Sequence, residues 1–145
     1  MENRINIEKT EPAAIKAMYG LEGYLATSSI TKTHKELVKI RASQINGCAF
    51  CINMHTKDAR KNGETEQRIY LLNAWRETAL FTEEEKAILA LTEEITLISK
   101  GGVSTETYQK AISLFSENYV AQLIMLAVSI NAWNRIAVTT QLQPV

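Results

Sequence analysis

Helix breakers are scarce in this sequence, and most stand where helices can end. Its 145 residues include six Gly and two Pro, and both prolines, Pro12 and Pro144, lie near the ends. Three breaker pairs, Asn46-Gly47, Asn62-Gly63 and Gly101-Gly102, punctuate the interior. Between them apolar residues recur three and four positions apart, and few stretches alternate long enough to make a strand. The pattern predicts an all-α fold, a compact bundle of about six to seven helices.

A first helix is expected over about 11–26, capped by Thr10 with Pro12 in its first turn. Its internal Gly20 and Gly23 each cost roughly 1 kcal/mol of helix propensity. A second is expected over about 31–45, with Leu37, Ile40, Ala42 and Ile45 on its apolar face. A third follows at once over about 48–61, and a fourth over about 65–79 with Ile69, Leu72, Trp75 and Arg76 on one side. Thr82-Glu83-Glu84-Glu85 is a capping box, so that acidic run reads as a helix start and not a metal site. The fifth helix carries Ile88, Leu91, Ile95 and Ile98 and stops at Gly101-Gly102. A sixth begins near Ser104 or Thr105 and ends near Phe115.

The last helix, about 118–141, is apolar around more than half its circumference. Val120, Leu123, Leu126, Ala127, Ile130 and Trp133 cannot all face one narrow stripe. Such a helix is either central to its own domain or buried in a subunit contact, so a homo-oligomer is expected. Nothing divides the chain, and residues 1–145 read as one domain. The nearly apolar run 120–130 is too short to span a bilayer. The first twelve residues lack the apolar core of a targeting signal, which makes the cytoplasm the expected compartment. Sixteen basic residues offset sixteen acidic ones, an even balance that argues against nucleic acid as a partner.

The two cysteines, Cys48 and Cys51, clamp almost no chain, so their spacing points to chemistry and not to stapling. Gly47 closes one helix and Cys48 opens the next. The pair therefore sits in the first turn of a helix, where free backbone N–H groups and the helix dipole favour a thiolate, the reactive form of cysteine. Cys51 and His55 lie four residues apart and share a helix face, so His55 can exchange a proton with a cysteine. Cys48 is within disulfide reach of Cys51. A nucleophile, a resolving thiol and a proton carrier thus fall within about two turns. Glu36, on the preceding helix, suits a general base if its face is packed. Three of these residues, Cys48, Cys51 and His55, can also supply zinc ligands with Glu36 as a fourth, although no second ligand pair exists. His34 reads as a surface residue, and Trp75 and Trp133 as packing residues.

The segment from Glu36 to His55 resembles the core motif of the alkylhydroperoxidase AhpD-like proteins, within the carboxymuconolactone decarboxylase family. That motif separates a Glu from Cys-x-x-Cys by eleven residues and places a His after three more. Glu36, Cys48, Cys51 and His55 match it, and Arg41, Ser43, Asn46, Gly47 and the trailing run from His55 to Arg60 also look like the family. The motif covers about residues 36–63, and the helical pattern fits over most of the chain.

The resemblance implies a thiol-dependent peroxidase or disulfide reductase with no cofactor. By analogy Cys51 attacks a small peroxide and becomes a sulfenic acid, and Cys48 condenses with it to a disulfide. Glu36 and His55 relay the proton, and a dihydrolipoyl or thioredoxin-like dithiol protein restores the thiols. Helix-terminus logic instead makes Cys48 the more acidic thiol. The family also implies trimers or hexamers. Phe50 stands where some peroxidase members carry a second histidine, which implies a shorter relay. Asn53 stands where relatives often have an aspartate. Competing readings are a lactone decarboxylase that does not need the cysteine pair, and a redox-sensing oligomer without efficient turnover.

Overall fold

A computed structural model describes residues 3–145, and every regular element among them is helical. The reading of the first residues as free of a targeting signal begins at Met1 and Glu2, which lie outside the described residues.

The N-terminal helix differs from expectation. Thr10 ends a short helix, α1 (Ile7–Thr10), capped by Asn6, and its hydroxyl bonds back to the Asn6 carbonyl at 2.9 Å. The long helix α2 (Pro12–Ala26) then starts with Pro12 in its first turn and no side-chain cap. Proline has no N–H to continue α1, yet its fixed φ suits a helix start.

Helix α3 (Lys32–Asn46) is capped by Thr31 and ends at Gly47, where φ is 66°. Helix α4 (Ala49–Lys61) follows with Cys48 as its N-cap. The fourth predicted helix is broken. Helix α5 (Glu66–Tyr70) gives way to a 3-10 segment, Leu72–Glu77, with non-helical backbone at Ala74. Tighter winding brings residues three apart into line, and here it buries both Leu72 and Trp75. Arg68 pins α5, donating to Glu64 and to Glu85 at 2.8 Å each.

Helix α6 (Glu83–Thr96) opens on the predicted Thr82–Glu85 capping box. A single 3-10 turn (Ile98–Lys100) and two left-handed glycines, Gly101 and Gly102, lead to α7 (Thr105–Leu114). The chain ends its helices with α8 (Glu117–Thr139), capped by Ser116.

Helix α3 packs on α4, α6 and α8, and so lies at the centre. Val38 and Ala42 of α3 meet Ile88 and Leu91 of α6 and Leu123, Leu126 and Ile130 of α8 in one core cluster. Leu37 and Ile40 meet Ala59, Leu72, Trp75, Phe81 and Leu89 in a second. By length and hydropathy α8 could cross a membrane, but half of that stretch is buried inside the protein. It is a core helix that also keeps Met125, Val128 and Val138 exposed.

Buried polar side chains tie α8 to its neighbours. Glu22 of α2 accepts from Ser129 at 2.6 Å and from the Trp133 indole at 3.0 Å. Trp75 and Trp133 therefore pack as expected, each with its N–H satisfied. His34 is not the surface residue the sequence suggested. It is half-buried, pairs with the Tyr119 hydroxyl at 2.7 Å and lies edge-on to Phe115 and Tyr119. Burial lowers its pKa against the pull of Glu85 and Glu84.

Glu93 joins three segments, accepting from Trp75 Nε1 (2.9 Å), Arg76 Nη1 (2.7 Å) and Arg41 Nε (2.9 Å). Burial alone would push its carboxyl up, but these donors together hold it below the usual carboxylate range. The depressed pKa means that its contribution is present above the unfolded value and is lost as pH falls through the folded one. Glu93→Gln should cost about 2–3 kcal/mol at neutral pH, the scale of hydrogen bonds to a charged group. The gap to wild type should begin to narrow below about pH 4, the ordinary range in which the unfolded chain's carboxyl protonates, and close only as pH falls through the lower folded value. Urea denaturation at both pH values checks this, and a gap independent of pH would refute it.

Candidate active site

The site is built at the junction of α3 and α4. Gly47 turns the chain through the left-handed region with no side chain or backbone crowding its Cα. The requirement for glycine there is conformational. Gly47 N–H donates to Gln44 O and Cys48 N–H to Ser43 O, which closes a Schellman turn and seats Cys48 directly on the end of α3. Cys48 then caps α4, its Sγ accepting from Cys51 N–H at 3.2 Å.

Cys48 and Cys51 form a disulfide, with Cα atoms 5.3 Å apart. Both are 2% exposed. Phe50 and Ala137 of α8 pack against them. The ring that replaces the second histidine of some peroxidases is thus part of the cover over the pair. With both sulfurs bonded to each other, neither is a thiolate able to join the Cys48–Cys51–His55 zinc set considered above.

His55 follows one turn after Cys51 on α4, roughly 5–6 Å away between Cβ atoms by helix geometry. Glu36 reaches it from α3, with Oε2 3.3 Å from His55 Nδ1. Both residues are buried, with side chains 12% and 9% exposed. The pair is close enough for a charge contact, yet it lacks the alignment of a hydrogen bond. Each of the two atoms is otherwise without a partner. Asp58, one turn beyond His55, places a carboxylate oxygen within 4.8 Å of the same two groups.

The four residues expected from the sequence are thus gathered at one helix junction. Two supports were not foreseen. Asn134 of α8, fully buried, donates to Ser43 Oγ at 3.0 Å and accepts from Asn46 Nδ2 at 2.9 Å. Asn46 also donates to Asn131, which in turn donates to Thr96. This chain of amides locks the residues just before Gly47, and so fixes where the cysteines start. The available signal was Asn131 and Asn134 on the largely apolar stretch of α8, since a buried amide has to find partners. The second support is at Asn53, whose Nδ2 donates to the Val145 carbonyl at 3.0 Å beside Lys57 at 2.8 Å. An aspartate could not donate there.

A model of the carboxymuconolactone decarboxylase family matches residues 12–94, more than half of the chain. The chain belongs to that family. Within it the chain is AhpD-like. It is 48% identical to the uncharacterized protein YdfG of Bacillus subtilis (strain 168), over 95% of this chain and 94% of that one. A crystal structure of a protein of unknown function from Agrobacterium tumefaciens, proposed to be an antioxidant defence protein AhpD, superposes with a TM-score of 0.96. It shares 38% identity, over 99% of each chain. The debrominase Bmp8 shares the fold at a TM-score of 0.83 and 17% identity, over 94% of this chain and 74% of its own. All four site residues and the amide network's Asn46 and Ser43 fall inside the family match, whereas Asn131 and Asn134 lie beyond it.

Proposed function

We propose that the protein is a thiol-dependent peroxidase or disulfide reductase that cycles between the Cys48–Cys51 disulfide and the dithiol. The observation that carries this reading is the disulfide at a helix start with a buried His55–Glu36 pair one turn away. In the forward half, Cys51 thiolate attacks a peroxide oxygen, the O–O bond breaks, and the alcohol or water leaves with a proton. Cys51 is then a sulfenic acid. Cys48 thiolate attacks that sulfur, and the sulfenic oxygen departs as water with a second proton.

Taking Cys51 as the attacking thiol follows the family resemblance, and the helix-terminus argument still points to Cys48. The N–H that holds Cys48 Sγ stabilises the resolving thiolate, while His55 serves Cys51 on its own helix face. Closing the cycle needs two electrons from a dithiol protein, of dihydrolipoyl or thioredoxin-like type. Such a donor also suits the cytoplasm, where dithiol proteins keep cysteines reduced. No further cofactor enters these steps. The exposed Met125, Val128 and Val138 on α8 fit assembly with further copies of the chain, and the size, a trimer or hexamer, rests on the family resemblance alone.

Lactone decarboxylation is the second reading, favoured by the family's name alone; it would survive loss of both cysteines. A redox sensor would form the disulfide without catalytic recycling. One experiment separates these. Intact mass is measured before and after one equivalent of hydrogen peroxide, followed by dihydrolipoamide. Loss of two hydrogens from the dithiol form, restored repeatedly by dihydrolipoamide with peroxide consumed, is expected. Irreversible oxygen addition or no mass change would overturn the peroxidase reading.

A further inference from the structure

We propose that Glu36, His55 and Asp58 form a zinc site at the junction of α3 and α4, distinct from any site that uses the cysteines. The three groups each offer a ligand atom, and these atoms lie within 4.8 Å of one another. Two carboxylates and one imidazole make a mixed oxygen–nitrogen donor set that suits zinc, with solvent in the fourth position.

The independent pointer is the state of the two inner groups. Glu36 and His55 are both buried, and Glu36 Oε2 and His55 Nδ1 face only each other, at 3.3 Å and without the alignment of a hydrogen bond. Buried polar atoms in that condition are rare and call for a partner. Zinc bonds of about 2.1 Å place neighbouring ligands about 3.4 Å apart in a tetrahedron. The 3.3 Å between Glu36 and His55 already fits. Asp58 is the exposed member. Its side chain is 44% exposed, and its contact to Lys61 Nζ is a loose 4.0 Å.

The arrangement also gives the cation a route. Asp58 sits at the surface and the other two lie beneath it, so zinc would arrive from solvent. Occupancy would then engage the pair to which the proposed cycle assigns proton relay. Zinc binding and relay would exclude each other, a consequence that rests on the functional reading; the site itself does not.

The test uses the full-length protein in its disulfide form, in which no thiolate competes for metal. Titration calorimetry with zinc chloride should show one site per chain. Magnesium, which prefers six oxygen ligands, should not bind. Asp58→Asn should weaken zinc binding by more than about tenfold. The chain has only two histidines. Zinc should therefore move the His55 ring signals in NMR and leave those of His34 in place. Absence of zinc binding by the oxidised protein would overturn the proposal, as would unchanged affinity in Asp58→Asn. Binding that appears only after reduction would overturn it in favour of the cysteines. Because calorimetry needs no turnover, a protein that binds zinc but reduces no peroxide would refute the relay role and leave the site standing.

Discussion

Cys51→Ser should eliminate peroxide turnover, with a fall of at least about 10³-fold, since a serine hydroxyl at neutral pH replaces a thiolate nucleophile. Cys48→Ser should behave differently. It should still consume one equivalent of peroxide and then stop, holding Cys51 as a sulfenic acid that a dimedone-type probe labels. The structure makes this pair of variants informative. Cys48 is the N-cap of α4, and serine is among the preferred N-cap residues. Its substitution should therefore keep the helix start while removing the resolving sulfur. Cys51 is buried, so serine there places a hydroxyl among apolar neighbours at a cost of about 1–3 kcal/mol. Cys51→Ala controls for that cost. Wild-type turnover in both single variants would remove the cycle altogether. A reversed pattern, with probe-labelled Cys48, would show that the helix terminus and not the histidine selects the attacking thiol.

Much of this site was legible in the sequence because its geometry is local. Cys48, Cys51 and His55 occupy little more than two turns of one helix, where spacing alone sets the shared face. Gly47 marks its own backbone requirement, and the observed φ of 66° is what a helix-ending Asn-Gly implies. The capping box at Thr82 was legible for the same reason, while for α8 the apolar pattern left open whether its own domain or a subunit contact buries it. Where the reading failed, tertiary contacts decided. The helix expected over 65–79 breaks because Leu72 and Trp75 are drawn into the cluster under α3, and Arg68 is held by Glu64 and Glu85. No local pattern announces either pull. His34 was misplaced because its partner, Tyr119, comes from a helix 85 residues away. Asn134 is the same case. Its role depends on Ser43 and Asn46, 91 and 88 positions back in the chain.

Glu36→Gln should slow thiol alkylation of the reduced protein near neutral pH by about 10²-fold, the lower range for loss of a positioned base. Its position on a different helix from the cysteines makes this the strictest check on the relay. Glutamine keeps the shape and one acceptor oxygen but cannot take a proton. The side chain is buried and faces His55 Nδ1 at 3.3 Å, and a glutamine of the same shape can still meet the ring there. The variant should therefore be as thermally stable as wild type, which separates a lost base from a lost fold. The pH profile carries the decision. With the base removed, alkylation should rise only toward the ordinary thiol range, near about pH 8.5. Wild type should react at lower pH because His55, held by Glu36 at 3.3 Å, can accept the proton from Cys51. Glu36→Asp should restore part of the rate if a carboxylate is what His55 needs. Superimposable profiles for wild type and Glu36→Gln would mean that the helix start alone activates the thiol. Glu36 would then keep only the cation-binding role inferred for it with His55 and Asp58, a role that the oxidised protein tests without any thiol chemistry.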